Sequence, residues 1–437
     1  MIDRFESEEA PGLSVQQMEV LLRTAVFKST AALVAYLFQR RADRIDADYQ
    51  PKAGQVRKGR ESLVAQCLFG SLKLERDYYY HESKKQGHYP TDAALGLEGS
   101  YTPALARLIC LEGADEASYQ KAEQHLLETG GITVSARQVQ RVVQRVGEEA
   151  QKWQHRPAVP SECARADAPV FYVSADGTGA PMRKEELQGH AGKEPDEPAK
   201  SRQVYLGCAF TQHGQDEKGH PIRDHDSTTY VSSLESIREF GPILRQEALR
   251  RGLATAEQVV LLIDGAEGLE NMGHDCFKEA VQIVDFYHAL DHAGDVVEAL
   301  LGSHEHPDYR KGQCAWAQSL LKDGVQRMIK QTRKKAAASG RTELVEKKLG
   351  YFVRNIARMQ YGTFRKKGYF IGSGVIEAGC KTVIGSRCKQ SGMFWRVQGA
   401  ENILAFRCIH ASRRLDAFWK YRLNQQAAHN DALALSA

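Results

Sequence analysis

Two apolar runs, each followed at once by Asp-Gly, constrain the fold more than any other feature of the sequence. Val259–Ile263 is continuously apolar and stops at Asp264, and Val170–Ala175 stops in the same way at Asp176. An uninterrupted apolar run of this length is typical of a strand that is buried on both faces of a helix-covered sheet. A third such run lies within Gln203–Thr211. The sequence therefore predicts an α/β fold.

The residues after Asp264 indicate a sheet edge rather than a hairpin. Asp-Gly is also a common hairpin turn, and that is the alternative for each dipeptide. Residues 268–281, however, have a helical pattern, and residues 282–286 predict a short strand before a helix that begins near His288. Side chains at the carboxyl ends of neighbouring strands converge in α/β sheets. We therefore expect Asp176 and Asp264 to face one site.

A third acid, Glu377, lies in the mostly apolar segment Gly372–Lys381. A capping box would explain it, but that motif needs Ser or Thr three residues before the Glu. The position holds Gly374, and Ser373 is one residue out of register. A carboxylate in apolar surroundings needs a partner, and a cation is a natural one.

Asp176, Asp264 and Glu377 together suit divalent metal ions. Neighbouring carboxylates repel each other, and a cation removes that penalty. Mg²⁺ (or Mn²⁺) prefers oxygen ligands and keeps waters that substrate phosphates can replace. Two ions about 4 Å apart can activate a water or a DNA 3′-hydroxyl and stabilise the departing oxygen. The three acids therefore predict metal-dependent cleavage and joining of phosphodiester bonds.

The charge of the chain is unevenly distributed. The 437 residues carry a net charge of +4, but residues 304–425 alone carry +17, which leaves −13 for the remainder. A basic third of this kind predicts a polyanionic partner, with solvated helix faces as the alternative. Arg333, Lys334 and Lys335 are candidates for holding DNA phosphates. Trp316 could stack on a flipped base, although a core tryptophan is the commoner case.

The front of the chain has its own pattern. Residues 14–46 predict one or two helices, and residues 71–81 a strand that forms half of a hairpin. Residues 105–150 look helical, with caps at Ser118 and Ser135 around a Gly-Gly turn. The second helix is rich in Arg and Gln, which is typical of a helix-turn-helix reader of DNA. The candidate contacts are Arg137, Gln138 and Arg141; a plain helical hairpin is the alternative.

These patterns predict five regions. They are N-terminal helices over 1–50, a strand and helix-turn-helix region over 51–160, the first part of the catalytic core over 161–308, a basic helical insertion over 309–365, and the end of the core over 366–437. Residues 154–169 predict a linker and residues 183–202 a mobile loop, because both are poorly patterned and contain proline.

Several classes are disfavoured. The nine cysteines contain no Cys-x-x-Cys pair, so neither a disulfide framework nor a zinc ribbon is predicted. His288 and His292 are four apart, but Ala289 stands where a zinc protease has its general base. No signal peptide is evident, and the apolar run at 20–38 is broken by Arg23 and Lys28. We therefore predict an amphipathic helix there and a cytoplasmic, nucleoid-associated protein.

The sequence resembles the transposases of ISKra-type insertion sequences, which are relatives of the Mutator-like group. The resemblance covers about residues 63–410, and its blocks occur in the family's order. They are Ser174–Met182, Ile263–Glu267, Asp285–Ala289, Gly372–Glu377, Ser391–Trp395 and Gly399–Leu404.

This resemblance implies an RNase H-like core with a helical insertion between the second and third acids. It implies that Asp176, Asp264 and Glu377 are a DDE-type catalytic triad that binds two Mg²⁺ ions. Asp285 and His288 match an Asp-x-x-His signature, for which we expect a supporting role. The implied partners are the element's ends and target DNA, bound by at least a dimer. Family members often carry a Cys-x-x-Cys knuckle near the front, which is missing here, so zinc is not expected.

Two other functions share these acids. A structure-specific nuclease or Holliday-junction resolvase would use the same core, but would not need the front helices or the long insertion. A catalytically inactive DNA-binding descendant would not need to retain all three acids.

Overall fold

The structure is a computed structural model that describes residues 13–165, 168–190, 192 and 198–435, with side chains described to residue 426. Its described residues form two compact units, one of residues 13–149 with 415–435 and the other of residues 150–414. The last helix therefore belongs with the front of the chain, whereas we expected 366–437 to complete the core. The reason is electrostatic, because Arg422 forms buried ion pairs with Glu98 and Glu149 of the front.

The first unit combines a long helix, a three-stranded antiparallel sheet and a helical group. We predicted one or two helices over 14–46, and the structure has one, with a capping box between Ser14 and Gln17. The predicted strand after Gly70 is present and forms a hairpin with the preceding strand. The elements are α1 (Val15–Asp48), β1 (Gln55–Cys67), β2 (Gly70–His81), β3 (Gln86–His88), α2 (Pro90–Ala94), α3 (Pro103–Asp115), α4 (Tyr119–Gly130), α5 (Ala136–His155) and, at the end of the chain, α16 (Leu415–Leu435).

Helix α1 packs one face against the hairpin. Val34, Ala35 and Phe38 contact the buried residues Leu72 and Leu74 of β2. In length and composition α1 is also a helix that could cross a membrane, and it is the one such helix among the described residues. The run at 20–38 is thus apolar enough for this despite Arg23 and Lys28, because these two residues carry its only charges.

The second unit is built on a mixed six-stranded sheet. The elements of this part are β4 (Val170–Pro181), β5 (Ser201–Gln215), β6 (Pro221–Arg223), β7 (Thr229–Ser233), α6 (Ile237–Arg250), β8 (Gln258–Ile263), α7 (Glu267–Cys276), β9 (Val281–Val284) and α8 (Phe286–Leu301). The strand order is β6-β5-β4-β8-β9, with β7 also paired to β5. The strands β4, β8 and β9 are parallel, and β5 runs antiparallel to β4.

The apolar runs form the centre of this sheet, as predicted. Phe171, Val173, Leu261 and Ile263 are buried in one core cluster beneath α6 and α7. Burial of the two central strands on both faces is what makes their sequences continuously apolar. The predicted mixed α/β fold with a largely helical front is confirmed.

A helical insertion follows α8, and the chain then returns to the sheet. The predicted basic helices are present and break at Gly340, which has a positive φ of 69°. The remaining helices are α9 (Tyr309–Leu320), α10 (Val325–Ala338), α11 (Thr342–Asn355), α12 (Tyr361–Lys366), α13 (Gly374–Gly379), a π-helical segment (Cys380–Gly385), α14 (Ser386–Cys388) and α15 (Val397–Ala411). Short 3₁₀ turns occupy Pro160–Glu162, Lys184–Leu187, Leu253–Thr255 and Ile356–Arg358.

Some predicted boundaries were wrong. β4 does not end at Asp176 but continues to Pro181, because β5 pairs with it over its whole length. The helix after Asp264 ends at Cys276, since β9 begins at Val281. The predicted loop over 183–202 contains a 3₁₀ turn and the start of β5, and its residues 191 and 193–197 lie outside the described part of the chain.

Candidate active site

Asp176 and Asp264 follow paired positions on neighbouring parallel strands. The register of β4 and β8 pairs Ala175 with Ile263, and the acids are the next residues on each strand. β8 ends there, while β4 continues beside β5 alone. The convergence expected from the sequence therefore holds for this pair.

Asp176 is half-buried, and its surroundings oppose its negative charge. Burial raises the pKa of the Asp176 carboxyl, and the charge of Asp264 raises it further, whereas a hydrogen bond from the Gly177 N–H lowers it. That bond is 2.6 Å long. One oxygen of Asp264 accepts the Ala266 N–H at 2.8 Å. Each carboxylate thus has one oxygen engaged by a backbone N–H, and the second oxygen of Asp176 meets the thiol of Cys380.

Asp285 joins three parts of this region. It is fully buried and caps the start of α8, accepting the His288 N–H at 2.7 Å. Its other carboxylate oxygen accepts the N–H of Ser373, immediately before α13. Its own N–H donates to the carbonyl of Ile263, next to Asp264 (2.8 Å). Since both carboxylate oxygens bind backbone N–H groups, Asp285 fixes the relative positions of β8, α8 and α13.

Glu377 lies in the first turn of α13. Its carboxylate accepts the Ser373 hydroxyl at 2.8 Å, and no capping box forms. One ligand atom each from Glu377, His288 and Asp285 lie within 4.8 Å of one another, a spacing that could hold a metal ion. α13 packs on the sheet, where a side chain at Gly379 would collide with Tyr230 of β7 and come within 3.1 Å of Leu206 of β5.

Cys380 and His288 connect the strand-end acids to Glu377. The Cys380 thiol lies one helical turn after Glu377 and reaches an oxygen of Asp176 at 3.6 Å. His288, which belongs to the Glu377 group, lowers the pKa of Asp176 by its charge. The predicted acids therefore lie at one end of the sheet. Among the described residues, however, neither Asp176 nor Asp264 belongs to a group of three ligand-type side chains within 4.8 Å.

The helical insertion reaches the same region through Tyr351, which sequence reasoning missed. A side chain at Gly265, next to Asp264, would come within 2.6 Å of the Tyr351 ring and hydroxyl. The ring stacks on His292 with centroids 3.7 Å apart. Burial raises the pKa of Tyr351, and the charges of Asp264 and Asp285 raise it further. Nothing in the local sequence indicates this contact, because it depends on how α11 packs.

Two residues of the predicted DNA-contacting surface are engaged within the protein. Trp316 is buried and packs on Phe352 at 4.5 Å, so it is a core tryptophan, the commoner of the two predicted cases, and does not stand exposed to a base. Arg333 makes two hydrogen bonds to Glu346, of 2.6 and 2.9 Å. Lys334 and Lys335 are exposed on the same helix, α10.

The predicted front residues lie on α5. Arg137, Gln138 and Arg141 are exposed, opposite a buried face that includes Val139 and Val142. Gln138 also accepts hydrogen bonds from the N–H and hydroxyl of Ser135 at 3.1 and 3.0 Å, so it caps its own helix. The two arginines are therefore the better candidates for contact with a ligand.

The chain matches a family model and a solved structure. Residues 9–205 match the model of an uncharacterised protein family, UPF0236. No protein of curated function matches the chain. Among solved structures, the Drosophila P element transposase strand transfer complex matches with 11% sequence identity, covering 73% of this chain and 79% of that one. Its TM-score is 0.23, a level at which the likeness supports no conclusion about fold or function.

Proposed function

We propose that this protein is a DNA transposase of a bacterial insertion sequence. In this proposal the second unit is an RNase H-like core, and Asp176, Asp264 and Glu377 are its DDE-type catalytic triad. The observation that carries the proposal is that Asp176 and Asp264 directly follow paired residues on two neighbouring parallel strands, while Cys380 joins Asp176 to the helical segment of Glu377. The three acids come from distant parts of the sequence, and most of the residues next to them in the chain are buried.

The residues present fit a magnesium site. The acids offer carboxylate oxygens, the ligands that Mg²⁺ and Mn²⁺ prefer. The raised pKa of Asp176 indicates that its charge is not balanced within the protein, and a cation would balance it. Two bound ions would supply activation of the attacking oxygen and stabilisation of the leaving oxygen. Asp285 and His288 would orient Glu377 and the start of α8, which is a supporting role.

The exposed basic residues would hold DNA. Lys334 and Lys335 on α10 are candidates for phosphate contacts, and Arg137 and Arg141 on α5 for contacts with the element's ends. Affinity for DNA should then fall steeply with added salt, as counterions are released. Since two ends are cut, we propose that at least two copies act together on DNA.

The decisive experiment is a strand-transfer assay with Asp264→Asn. The wild-type chain is incubated with labelled DNA of the source element's ends, with and without Mg²⁺. Asp264→Asn should lower cleavage and joining by about 10³-fold or more, because it removes a metal ligand, and should leave end binding within about twofold. Glu267→Gln removes an exposed carboxylate three residues away and serves as the matched control.

The outcomes distinguish the alternatives. Cleavage without joined products would identify a nuclease or resolvase. End binding without cleavage by the wild-type chain would identify an inactive descendant. Full activity of Asp264→Asn would contradict the assignment of this residue to the triad.

A further inference from the structure

Helix α1 carries a line of large apolar side chains on a face that no described residue covers. We call this line the outer stripe. Its members recur every three, four or seven residues and are exposed to between 42% and 72%: Val15, Leu22, Val26, Leu33, Tyr36 and Leu37. At 3.6 residues per turn they fall within an arc of about 100°. A continuous exposed apolar surface of this kind marks an interaction site.

The opposite face of α1 is already occupied. Ala31, Val34 and Phe38 pack toward the hairpin, and Phe27 meets Phe69 edge to face at 6.0 Å. These residues point away from the outer stripe. α1 is therefore apolar on two opposite faces, and a helix of that kind is stable in water only when both are covered.

The central part of the outer stripe reads the same from both ends, whereas Val15 and Tyr36 correspond to Arg44 and Arg23. Around the centre between Ser29 and Thr30, Leu22 corresponds to Leu37 and Val26 to Leu33. At the two ends, Glu19 corresponds to Arg40, so the ends carry opposite charges. The hydroxyls at the centre bond to carbonyls of their own helix, at 3.0 Å for Ser29 and 2.8 Å for Thr30. Each hydroxyl therefore donates its hydrogen bond within the helix and can be covered by a partner without losing it.

From this symmetry we infer that the outer stripe binds the outer stripe of a second copy of this chain, with the two α1 helices antiparallel. A two-fold interface requires a surface that is complementary to itself, and this arrangement sets Leu22 against Leu37 and Val26 against Leu33. It also places Glu19 of each copy beside Arg40 of the partner. The dimer forms without DNA, so it does not depend on the proposed function.

The size of the interface follows from the proposed register. The two helices overlap over residues 15–44, which is about 45 Å of a helix about 10 Å wide. Two such faces would bury roughly 900 Å², the size of a weak, reversible interface.

A membrane suits the stripe less well. Arg23 and Lys28 place charges within the apolar part of α1, and β2 lies along its inner face. The adjoining hairpin carries charged groups beside α1, including the 2.6 Å ion pair between Arg60 and Asp43. Insertion of α1 would take these charges into the bilayer, which is strongly unfavourable.

The test measures self-association of the full chain by sedimentation velocity in the absence of DNA. The wild type should form a dimer at micromolar concentration. Val26→Glu and Leu33→Glu should each weaken it by more than 100-fold, since each places two charges in the apolar interface. Circular dichroism should be unchanged, because both side chains are exposed in one copy.

Charge reversal tests the antiparallel register. Glu19→Arg and Arg40→Glu should each weaken the dimer by about tenfold, and the double variant should restore it to within about threefold. A mixture of the two single variants should also associate. A parallel dimer would show no rescue and would overturn the proposed register.

Disulfide trapping gives a second readout in a Cys314→Ser background, since Cys314 is exposed. Ser29→Cys, at the centre of the stripe, should crosslink two copies under mild oxidation, whereas Lys28→Cys on another face should not. A wild-type chain that stays monomeric, or a dimer that survives Val26→Glu, would overturn the proposal. Flotation with lipid vesicles that Val26→Glu abolishes, without a dimer, would assign the stripe to a membrane instead.

Discussion

At the scale of single residues, the site is defined by carboxylates in unequal surroundings. Asp285 is fully buried but has both oxygens satisfied by backbone N–H groups. Asp176 is less buried, yet burial and the charge of Asp264 raise its pKa. The first carboxylate is a structural connector, and the second is held in a form that the fold alone does not stabilise. An unbalanced carboxylate of this kind suits the metal-binding role that we propose for Asp176.

Replacing Asp176 by Asn should stabilise the metal-free protein. The folded-state pKa is raised, so the ionised carboxyl opposes folding above that pKa, and protonation at lower pH relieves the effect. At neutral pH the neutral amide should therefore raise the melting temperature in EDTA, by about 2–4 °C for each kcal/mol relieved. Differential scanning calorimetry measures the change.

The same variant should lose its response to the cation. Mg²⁺ should raise the melting temperature of the wild type by binding the folded state, and should not do so in Asp176→Asn. Glu267→Gln should behave like the wild type in both buffers. A lower melting temperature of Asp176→Asn in EDTA would contradict this account of the site.

At the scale of elements, the helical insertion packs against the six-stranded sheet beside Asp264. Tyr351 of α11 lies against Gly265, so the backbone beside Asp264 has no room for a side chain. The ring is held in turn by stacking on His292 of α8. The contact couples the basic helices to the position of the second acid.

Gly265→Ala should reduce activity and stability together. The new methyl group would lie within about 2.6 Å of the Tyr351 ring and hydroxyl, so one element must move. We expect a loss of about 1–3 kcal/mol in the free energy of unfolding, as is usual for overpacking. Adding Tyr351→Ala should recover part of the loss, which a double-mutant cycle of urea unfolding measures. Strict additivity of the two substitutions would show that they do not interact.

The sequence predicted the elements whose signal is local. The central strands were predicted because burial on both faces makes Val170–Ala175 and Val259–Ile263 continuously apolar. The short, polar strand Thr229–Ser233 was not, because its stability comes from pairing with β5. Asp176 and Asp264 were predicted as site residues because each follows an apolar run, and Glu377 because it lies in an apolar segment without a capping box. Tyr351 was not, because its contact depends on packing between distant elements.

The role of Cys380 was predictable from the sequence only in part. Its spacing of three residues from Glu377 places both on one side of a helix, and that signal was available in the sequence. Its contact with Asp176 was not, because it requires the sheet register. The catalytic and metal-binding roles of the acids stay predictions.

At the scale of the whole molecule, stability should depend on pH through Glu401. This residue of α15 is buried and accepts the Leu234 N–H at 2.5 Å. Burial raises the pKa of Glu401 to about 7. Between its ordinary value of 4.5 and that value, the folded chain keeps a proton that the unfolded chain releases. Stability should therefore fall as the pH rises from 5 to about 7.

Glu401→Gln should flatten this dependence. Because its amide cannot ionise, the variant should be more stable than the wild type at pH 8, by on the order of 1–3 kcal/mol, and similar at pH 5. Urea unfolding across this range measures the difference. Glu257→Gln removes an exposed carboxylate elsewhere in the second unit, and this control should leave the profile unchanged. Equal slopes for the wild type and Glu401→Gln would rule out Glu401 as the source.

The ion pairs of Arg422 with Glu98 and Glu149 have a consequence for synthesis. Arg422 follows Glu149 by 273 residues. At the usual pace of translation, about 5–20 residues per second, a ribosome needs roughly 15–55 s to cover that distance. Through this interval Glu149 of the nascent first unit lacks its counter-ion, and Glu98 has Arg145 alone. Synthesis of the first unit begins first and ends last. Chaperones would therefore bind the first unit while it is incomplete and while the six-stranded sheet of the second unit is already folding.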